Sequence, residues 1–299
     1  MSVPVSRAKI ALAFLMLYLV WGSTYLAIRV GVQHLPPALF AGVRFVISGL
    51  VIGAYAWSQG MTLPRSFAEW KPIVIVGALL LMGGNGLVVW GEQWVASNQA
   101  ALIVATTALW IAGFGTLGKQ GQALSKQVLL GLVIGFAGVA VLLFPHSGSL
   151  SMDHWWGQLG ILLAALSWAS GSMYGKRQPS SIPPLMAAAM QMLVGGIMLC
   201  IIGFTLGEGS RWTWTTEGTA ALVYLIVFGS VTYAVYIWLL HTVTPAQLGT
   251  YAYVNPAVAV LLGWWLLNEK MSSAQIVGML IILLGVVLVS IKNNNGQAS

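Results

Sequence analysis

The sequence predicts an all-α, polytopic membrane protein with ten transmembrane helices, arranged as two inverted repeats of five around a central cavity. The first observation is composition: 58% of the 299 residues are hydrophobic and only 6% are charged, whereas an ordinary soluble domain carries about 25% charged residues. The second is that the apolar residues form ten long segments. The third is an internal repeat that relates the first half of the chain to the second.

The ten segments follow one another with short connections. A membrane-crossing helix needs about 20 mostly apolar residues. The connections hold most of the charge, so the sequence leaves no room for a soluble domain, and the polar tail 292–299 is predicted to be disordered. In chain order, the predicted spans are 10–28, 36–57, 72–91, 99–118, 127–144, 156–175, 183–206, 219–240, 245–267 and 274–291.

The basic residues predict the orientation of these spans. An even number of spans puts both termini on one side, and most of the lysines and arginines in the connections and tails fall on that side, among them Lys9, Lys71 and Arg177. Arg29, Arg211 and Lys270 fall on the other. The positive-inside rule therefore predicts a multi-pass protein of the cell inner membrane with both termini in the cytoplasm.

The internal repeat is visible as one constant offset. The shift that places Trp21 on Trp168 also places the paired prolines 36–37 on 183–184 and Gly138 on Gly285, without a gap. We therefore predict two repeats, 9–144 and 156–291. Because each contains five spans, the second copy enters the membrane from the opposite side, an arrangement typical of secondary transporters.

Several motifs resemble one transporter family. The run LVWGST at 19–24 has the counterpart LSWAS at 166–170, and an Asn-Pro pair at 255–256 is followed by NEK at 268–270. With the ten spans and the repeat, these resemble the EamA-type carriers of the drug/metabolite transporter superfamily, and among them the YddG-type exporters of aromatic amino acids. The resemblance implies alternating access through a cavity lined by the first, third, fourth, sixth, eighth and ninth helices, with the fifth and tenth at the periphery.

Three tryptophans fall near the midplane when depth is counted along each span: Trp21, Trp110 and Trp168. The other eleven lie near helix ends or in loops, where an interfacial aromatic belt is expected. The three midplane residues either pack between helices with the indole N–H bonded to a polar neighbour, or line the cavity. Large flat walls suit an aromatic or amphipathic solute.

Amides and tyrosines complete the predicted site. Asn85 and Asn255 lie near mid-depth beside glycines or a proline, and each forms either an interhelical hydrogen bond or a substrate contact. Four tyrosines lie on faces shared with these residues or with each other. We therefore predict a substrate-binding set of Trp21, Tyr25, Asn85, Trp110, Trp168, Tyr233, Tyr236, Tyr251 and Asn255.

Charged residues near the membrane interior are few. Arg44 lies well inside the second span, and we expect it to be structural, because the resemblance places that helix away from the cavity and its repeat partner is the neutral Gln191. Glu92 and His241 lie at helix ends, where solvated residues are common, although either could serve as a gate or coupling group. No aspartate or glutamate lies at mid-depth of any span, which argues against a cation-selective drug antiporter.

These features predict a carrier that exports small amphipathic metabolites, with aromatic or hydrophobic amino acids as the first substrate class and lipophilic cationic drugs as the alternative. A membrane-embedded enzyme is disfavoured, since the sequence holds no HExxH, GxSxG or phosphate-loop motif. A channel would need a continuous polar path, which the midplane tryptophans oppose. We predict no cofactor, no metal and no nucleic-acid partner; the expected partners are the substrate and the lipid bilayer, with the chain a monomer.

Overall fold

The computed structural model of the protein describes residues 6–95, 97–119, 121, 123–143, 155–267 and 272–290. The predicted disordered tail 292–299 and the run 268–270 lie outside these ranges. Within them the chain forms ten helices, numbered α1 to α10: Arg7–His34, Pro37–Ser58, Phe67–Gly91, Ser97–Ala105 with Thr107–Gly115, Lys126–Leu143, Trp155–Arg177, Pro184–Thr205, Thr216–Thr242, Pro245–Gly249 with Tyr251–Leu267, and Ser273–Ser290.

The ten helices match the ten predicted spans, so the predicted all-α polytopic fold is confirmed. Among the described residues, six helices are long and apolar enough by length and composition to cross a membrane: α1, α2, α3, α7, α8 and α10. The helix pairs that make up α4 and α9 are each interrupted at a single threonine, Thr106 and Thr250. A short 3₁₀ turn at Glu208–Arg211 follows α7.

Local sequence explains where the helices begin. Pro37 and Pro184 stand at the first position of α2 and α7, where a missing N–H costs nothing. Ser66 and Glu69 form a capping box that opens α3. Glu208 acts on another helix: its Oε2 accepts a hydrogen bond of 2.8 Å from the Leu39 N–H in the first turn of α2. The second helix of each repeat thus begins at a pair of prolines, 36–37 in the first repeat and 183–184 in the second.

Three helices contain wide π-helical segments. They are Leu17–Trp21 in α1, Ala78–Gly86 in α3 and Leu225–Gly229 in α8. A π turn inserts one extra residue into an α-helix, and such turns are frequent at functional sites. Each segment contributes at least one residue to the interior of the bundle, as described below.

Glycines bring equivalent helices of the two repeats into close contact. In the α2–α7 pair, a Cβ added at Gly42 would lie 2.9 Å from the Gly196 carbonyl oxygen. In the α5–α10 pair, one added at Gly138 would lie 3.0 Å from the Gly278 carbonyl oxygen. Glycines let helix backbones approach closely in membranes. The glycines therefore pack helices.

Replacing Gly285 with alanine is expected to destabilise the α5–α10 pair. The added Cβ would lie 2.5 Å from the backbone nitrogen and 2.6 Å from the Cα of Gly135, atoms that no side-chain rotation can move. Overpacking of this kind costs about 1–3 kcal/mol. We expect a lower midpoint of thermal unfolding in detergent. The matched control is Gly113→Ala in α4, where an added Cβ meets nothing within 4 Å; equal midpoints for the two variants would contradict the prediction.

Candidate functional site

A cavity lies in the bundle at mid-depth and toward the face opposite to the N-terminus of α1. Its walls come from the second halves of α1 and α3, from the middle of α4, α6 and α8, and from α2 and α9. Seven of the nine residues predicted to form the site line it: Trp21, Tyr25, Asn85, Trp168, Tyr233, Tyr251 and Asn255.

The other two predicted residues lie elsewhere. Tyr236 is fully buried behind the cavity wall and supports the residues in front of it. Trp110 does not line the cavity: it is 36% exposed and its nearest aromatic ring is Phe114, with centroids 6.1 Å apart. Counting residues along α4 gives the depth of Trp110 but not the direction in which its side chain points.

Aromatic rings from four helices form a connected cluster at the centre of the bundle. The ring centroids of the repeat partners Trp21 and Trp168 are 5.5 Å apart in an edge-to-face arrangement. Tyr251 packs on Trp21 at 5.2 Å, and Tyr233 lies 6.3 Å from Trp168. Tyr236 contacts both tryptophans, at 5.2 and 5.3 Å. The inner wall of the cavity is therefore aromatic.

Hydrogen bonds hold this cluster in place. The Trp168 indole N–H donates to the Tyr236 hydroxyl at 3.0 Å, and that hydroxyl lies 2.6 Å from the Ser172 hydroxyl. The Tyr233 hydroxyl donates to Oε1 of Gln191 at 2.8 Å. Trp168 thus both packs between helices and lines the cavity.

The three π-helical segments all border the cavity. Trp21 ends the first, Asn85 lies in the second and Gly229 ends the third, and all three residues line the wall. Gly84, also in the second segment, allows α6 to approach: a Cβ there would lie 2.8 Å from the Trp168 ring carbon Cε3. The glycine-rich run of α3 therefore makes room for the aromatic wall.

Arg44 lies in the cavity wall, in contrast to the expectation that the second helix lies away from it. The residue is only 3% exposed, its guanidinium donates a hydrogen bond to Oδ1 of Asn85, and it lies 4.4 Å above the ring of Phe45. Its Nε is buried and has no hydrogen-bond partner in the part of the chain that the structure describes. Arg44 therefore brings a positive charge to an otherwise largely apolar cavity.

Glu92 also differs from expectation. It follows the last residue of α3, where solvation is common, yet its exposure is 0%. Arg29 donates a hydrogen bond to its backbone carbonyl, whereas neither carboxylate oxygen has a partner among the described residues. Because Gly91 lies directly against Gly157 and Ile161 of α6, this helix end is covered by a distant part of the chain. Glu92 therefore lies at the helix end, as predicted, but its carboxylate is buried and not solvated.

Asn255 supplies a polar acceptor to the same cavity. It is 1% exposed, and its Oδ1 is buried with no hydrogen-bond partner within the described ranges. The next residue, Pro256, has no N–H, so the carbonyl of Ala252 lacks the helical bond it would otherwise receive. Among the described residues, Oδ1 of Asn255 is therefore a free acceptor in the cavity wall, next to a break in the helical hydrogen bonding.

His241 lies apart from these groups. It is exposed and lines a second cavity nearer the opposite face of the bundle, between α3, α6, α7 and α8. Gln191 lines that second cavity as well. Since Tyr233 lines the first, the Tyr233–Gln191 hydrogen bond joins the walls of the two cavities.

The arrangement suits reversible binding of a small solute. Aromatic faces hold an apolar group by dispersion and edge-to-face contacts. A buried guanidinium attracts an anionic group, and unpaired oxygens attract a hydrogen-bond donor or an ammonium group. A molecule with these three features would satisfy polar atoms that are otherwise buried at a cost in free energy.

Comparison with known proteins agrees with this architecture. A model described as the EamA-like transporter family matches twice, over residues 8–144 and 155–291. The chain is 38% identical to the uncharacterized inner membrane transporter YedA of Escherichia coli (strain K12) over 284 residues, which cover 93% of this chain and 90% of that protein. It is 28% identical to the uncharacterized transporter YvbV of Bacillus subtilis (strain 168) over 308 residues, covering 100% and 96%. A crystal structure with a TM-score of 0.78 and 24% identity, covering 95% of this chain and 97% of its own, has the same fold.

Proposed function

The chain belongs to the EamA-like transporter family, a family of transporters and not of enzymes, and from this premise we propose that it exports zwitterionic metabolites, with aromatic and hydrophobic amino acids as its substrates. In this proposal it resides in the inner membrane, the location given by the name of its relative, the inner membrane transporter YedA. It works as a monomer in which the repeats 9–144 and 156–291 rock around the cavity. The proposed substrate class is that of the YddG-type exporters, which the motifs resemble.

One observation carries the proposal: Arg44 and Asn255 line the same cavity as the aromatic cluster, and each retains a buried polar atom without a partner among the described residues. An amino acid supplies the three complementary groups. Its carboxylate pairs with the Arg44 guanidinium, its ammonium donates to Oδ1 of Asn255, and its side chain packs against Trp21 and Trp168. Charge-assisted hydrogen bonds are about twice as strong as neutral ones, so both ends of the zwitterion contribute to binding.

The position of the cavity matches one step of the proposed export cycle. It extends from mid-depth toward the face opposite to the N-terminus. With both termini in the cytoplasm, as the basic residues predict, that face is the outer one. The structure then corresponds to the state in which an exporter releases its substrate.

A lipophilic cation is the second candidate substrate. The buried carboxylate of Glu92 favours it, since cation carriers keep a carboxylate inside the membrane. Glu92, however, is not among the residues that line the cavity, whereas Arg44 is. A cation in the cavity would therefore meet a positive charge first, and this ranks the amino acid ahead of the drug.

The test is exchange in proteoliposomes that hold unlabelled substrate. We expect labelled tryptophan, phenylalanine and methionine to exchange without an imposed proton gradient, and glutamate not to exchange. Two analogues isolate the polar contacts: 2-phenylethylamine lacks the carboxylate and 3-phenylpropanoate lacks the ammonium, so both are expected to compete more weakly than phenylalanine. Absence of amino-acid exchange together with proton-driven uptake of a lipophilic cation would overturn the proposal and favour the drug.

A further inference from the structure

Glu92 is fully buried close to two arginines, one of which lines the cavity. The charged and titratable groups that face it, within the described part of the chain, are Tyr25 and Arg29 of α1 and Arg44 of α2. Gly157 and Ile161 of α6 pack against Gly91, and neither side chain is ionisable. Two guanidinium groups beside one carboxylate disfavour a metal cation at this place, and they leave the proton as the ion that the carboxylate can take up.

Two opposing effects act on this carboxyl group. It stands one residue beyond the apolar stretch Phe67–Gly91, and burial without hydrogen bonds favours its neutral form. Arg29 and Arg44 favour the charged form. Burial is the larger effect and raises the pKa of Glu92 to about 8. Near pH 8, small changes in the charge around Arg44 therefore decide whether the Glu92 carboxyl group is protonated.

We propose that Glu92 is a proton-binding site whose occupancy is linked, through Arg44, to the binding of a carboxylate in the cavity. That this carboxylate belongs to the substrate rests on the proposed function above. The site itself rests on the buried carboxylate, on its unpaired oxygens, and on Arg44, which lines the cavity and also interacts electrostatically with Glu92.

The link follows from Coulomb's law in a medium of low polarity. In the empty cavity at alkaline pH, Arg29 and Arg44 compensate the charge of ionised Glu92. A ligand carboxylate at Arg44 adds a second negative charge near the same guanidinium, which raises the free energy of ionised Glu92. A proton from solvent then bonds to a carboxylate oxygen of Glu92, and it is released when the ligand leaves. Proton and ligand therefore strengthen each other's binding.

The sign of the pH dependence follows from this linkage. Well below pH 8 Glu92 already carries its proton, so ligand binding takes up none. As pH rises through the pKa of the empty protein, binding must also draw a proton from solvent, and affinity falls by up to tenfold per pH unit. Proton uptake on binding approaches one per ligand in that range.

The first experiment detects the protonated carboxyl group without any ligand. Infrared titration of the full-length protein in detergent is expected to show the carbonyl band of a neutral carboxylic acid that disappears on alkaline titration. The band is expected to be absent from Glu92→Gln and retained in Glu217→Gln, since Glu217 is exposed at the start of α8. If the wild type lacks the band at neutral pH, the proposal is overturned.

The link through Arg44 is tested in the same titration. Arg44→Gln removes a cation, so the band is expected to persist to higher pH than in the wild type; an unchanged midpoint overturns the link. The comparison of Arg44→Gln with the wild type needs neither a folded Glu92→Gln variant nor a ligand.

Proton uptake on adding phenylalanine, measured with a pH dye in weakly buffered solution near pH 8.5, then tests the substrate. We expect uptake in wild type and Glu217→Gln and none in Glu92→Gln. Binding without uptake overturns the linkage. If phenylalanine fails to bind while the band still titrates and shifts in Arg44→Gln, the proposed substrate is wrong and the proton site stands.

Discussion

Replacing Arg44 with glutamine is expected to remove most amino-acid exchange while the protein stays folded. Glutamine can still hydrogen-bond to Asn85, as the guanidinium does, but it offers no charge to a carboxylate. A hydrogen bond to a charged group contributes about 1.5–3 kcal/mol, so the dissociation constant for phenylalanine should rise by about 10- to 100-fold. The measurement is binding in detergent, together with exchange in proteoliposomes at matched expression.

Two further variants separate charge from position. Arg65→Gln removes an arginine from an exposed connection and should leave binding unchanged. Arg44→Lys keeps the charge but loses the planar group that pairs with a carboxylate through two parallel bonds, so an intermediate affinity is expected. Improved binding of 2-phenylethylamine by Arg44→Gln would show that the arginine excludes cations. Wild-type affinity for phenylalanine in Arg44→Gln would contradict the proposed binding mode.

Replacing Trp168 with alanine is expected to reduce exchange at least tenfold. The change removes a ring that contacts Trp21 and Tyr233 and that holds Tyr236 by a hydrogen bond of 3.0 Å. The loss includes both the wall against which the substrate packs and the support of its neighbours. Trp168→Phe keeps a ring but no N–H donor, so it should retain part of the activity. Trp21→Ala is expected to resemble Trp168→Ala, because the two residues are repeat partners in contact.

The matched control is Trp110→Ala. Trp110 was placed at the same depth by sequence, but it does not line the cavity, so its replacement should leave most exchange intact. Trp265, which is 71% exposed, provides a second control near a helix end. If the controls lose more exchange than Trp21→Ala and Trp168→Ala at equal protein levels, the substrate does not bind at the aromatic cluster.

The fold could be predicted because its determinants are local or repeat at a fixed offset. Apolar runs of about 20 residues fix the number of helices, and the paired prolines at 36–37 and 183–184 fix where α2 and α7 begin. The π-helical segments could not be predicted, since one extra residue in a turn leaves the apolar pattern of a membrane helix unchanged. They depend on contacts between helices, such as that of Gly84 with Trp168.

For the site, the sequence predicted how deep each residue lies in the membrane but not the direction in which its side chain points. Position along a helix brought Trp21 and Trp168 to the centre, whereas Trp110 has the same depth and points elsewhere. The place of Arg44 in the cavity wall and the burial of Glu92 were not predicted, for a related reason. Their surroundings are built by helices far away in sequence, α3 beside Arg44 and α6 over the end of α3 at Glu92.

Arg44 and Gln191 occupy equivalent positions in the two repeats, and the difference between them has a consequence for the two faces of the membrane. Arg44 bonds to Asn85 on α3, and its counterpart Gln191 bonds to Tyr233 on α8, which corresponds to α3 in the second repeat. The two-fold relation therefore holds for the backbone and fails for the charge. If the two repeats exchanged conformations, the cavity on the other face would present a neutral amide where this one presents a guanidinium. Half-saturation by a carboxylate ligand would then occur at different concentrations on the two sides, although the equilibrium distribution across the membrane would be unchanged.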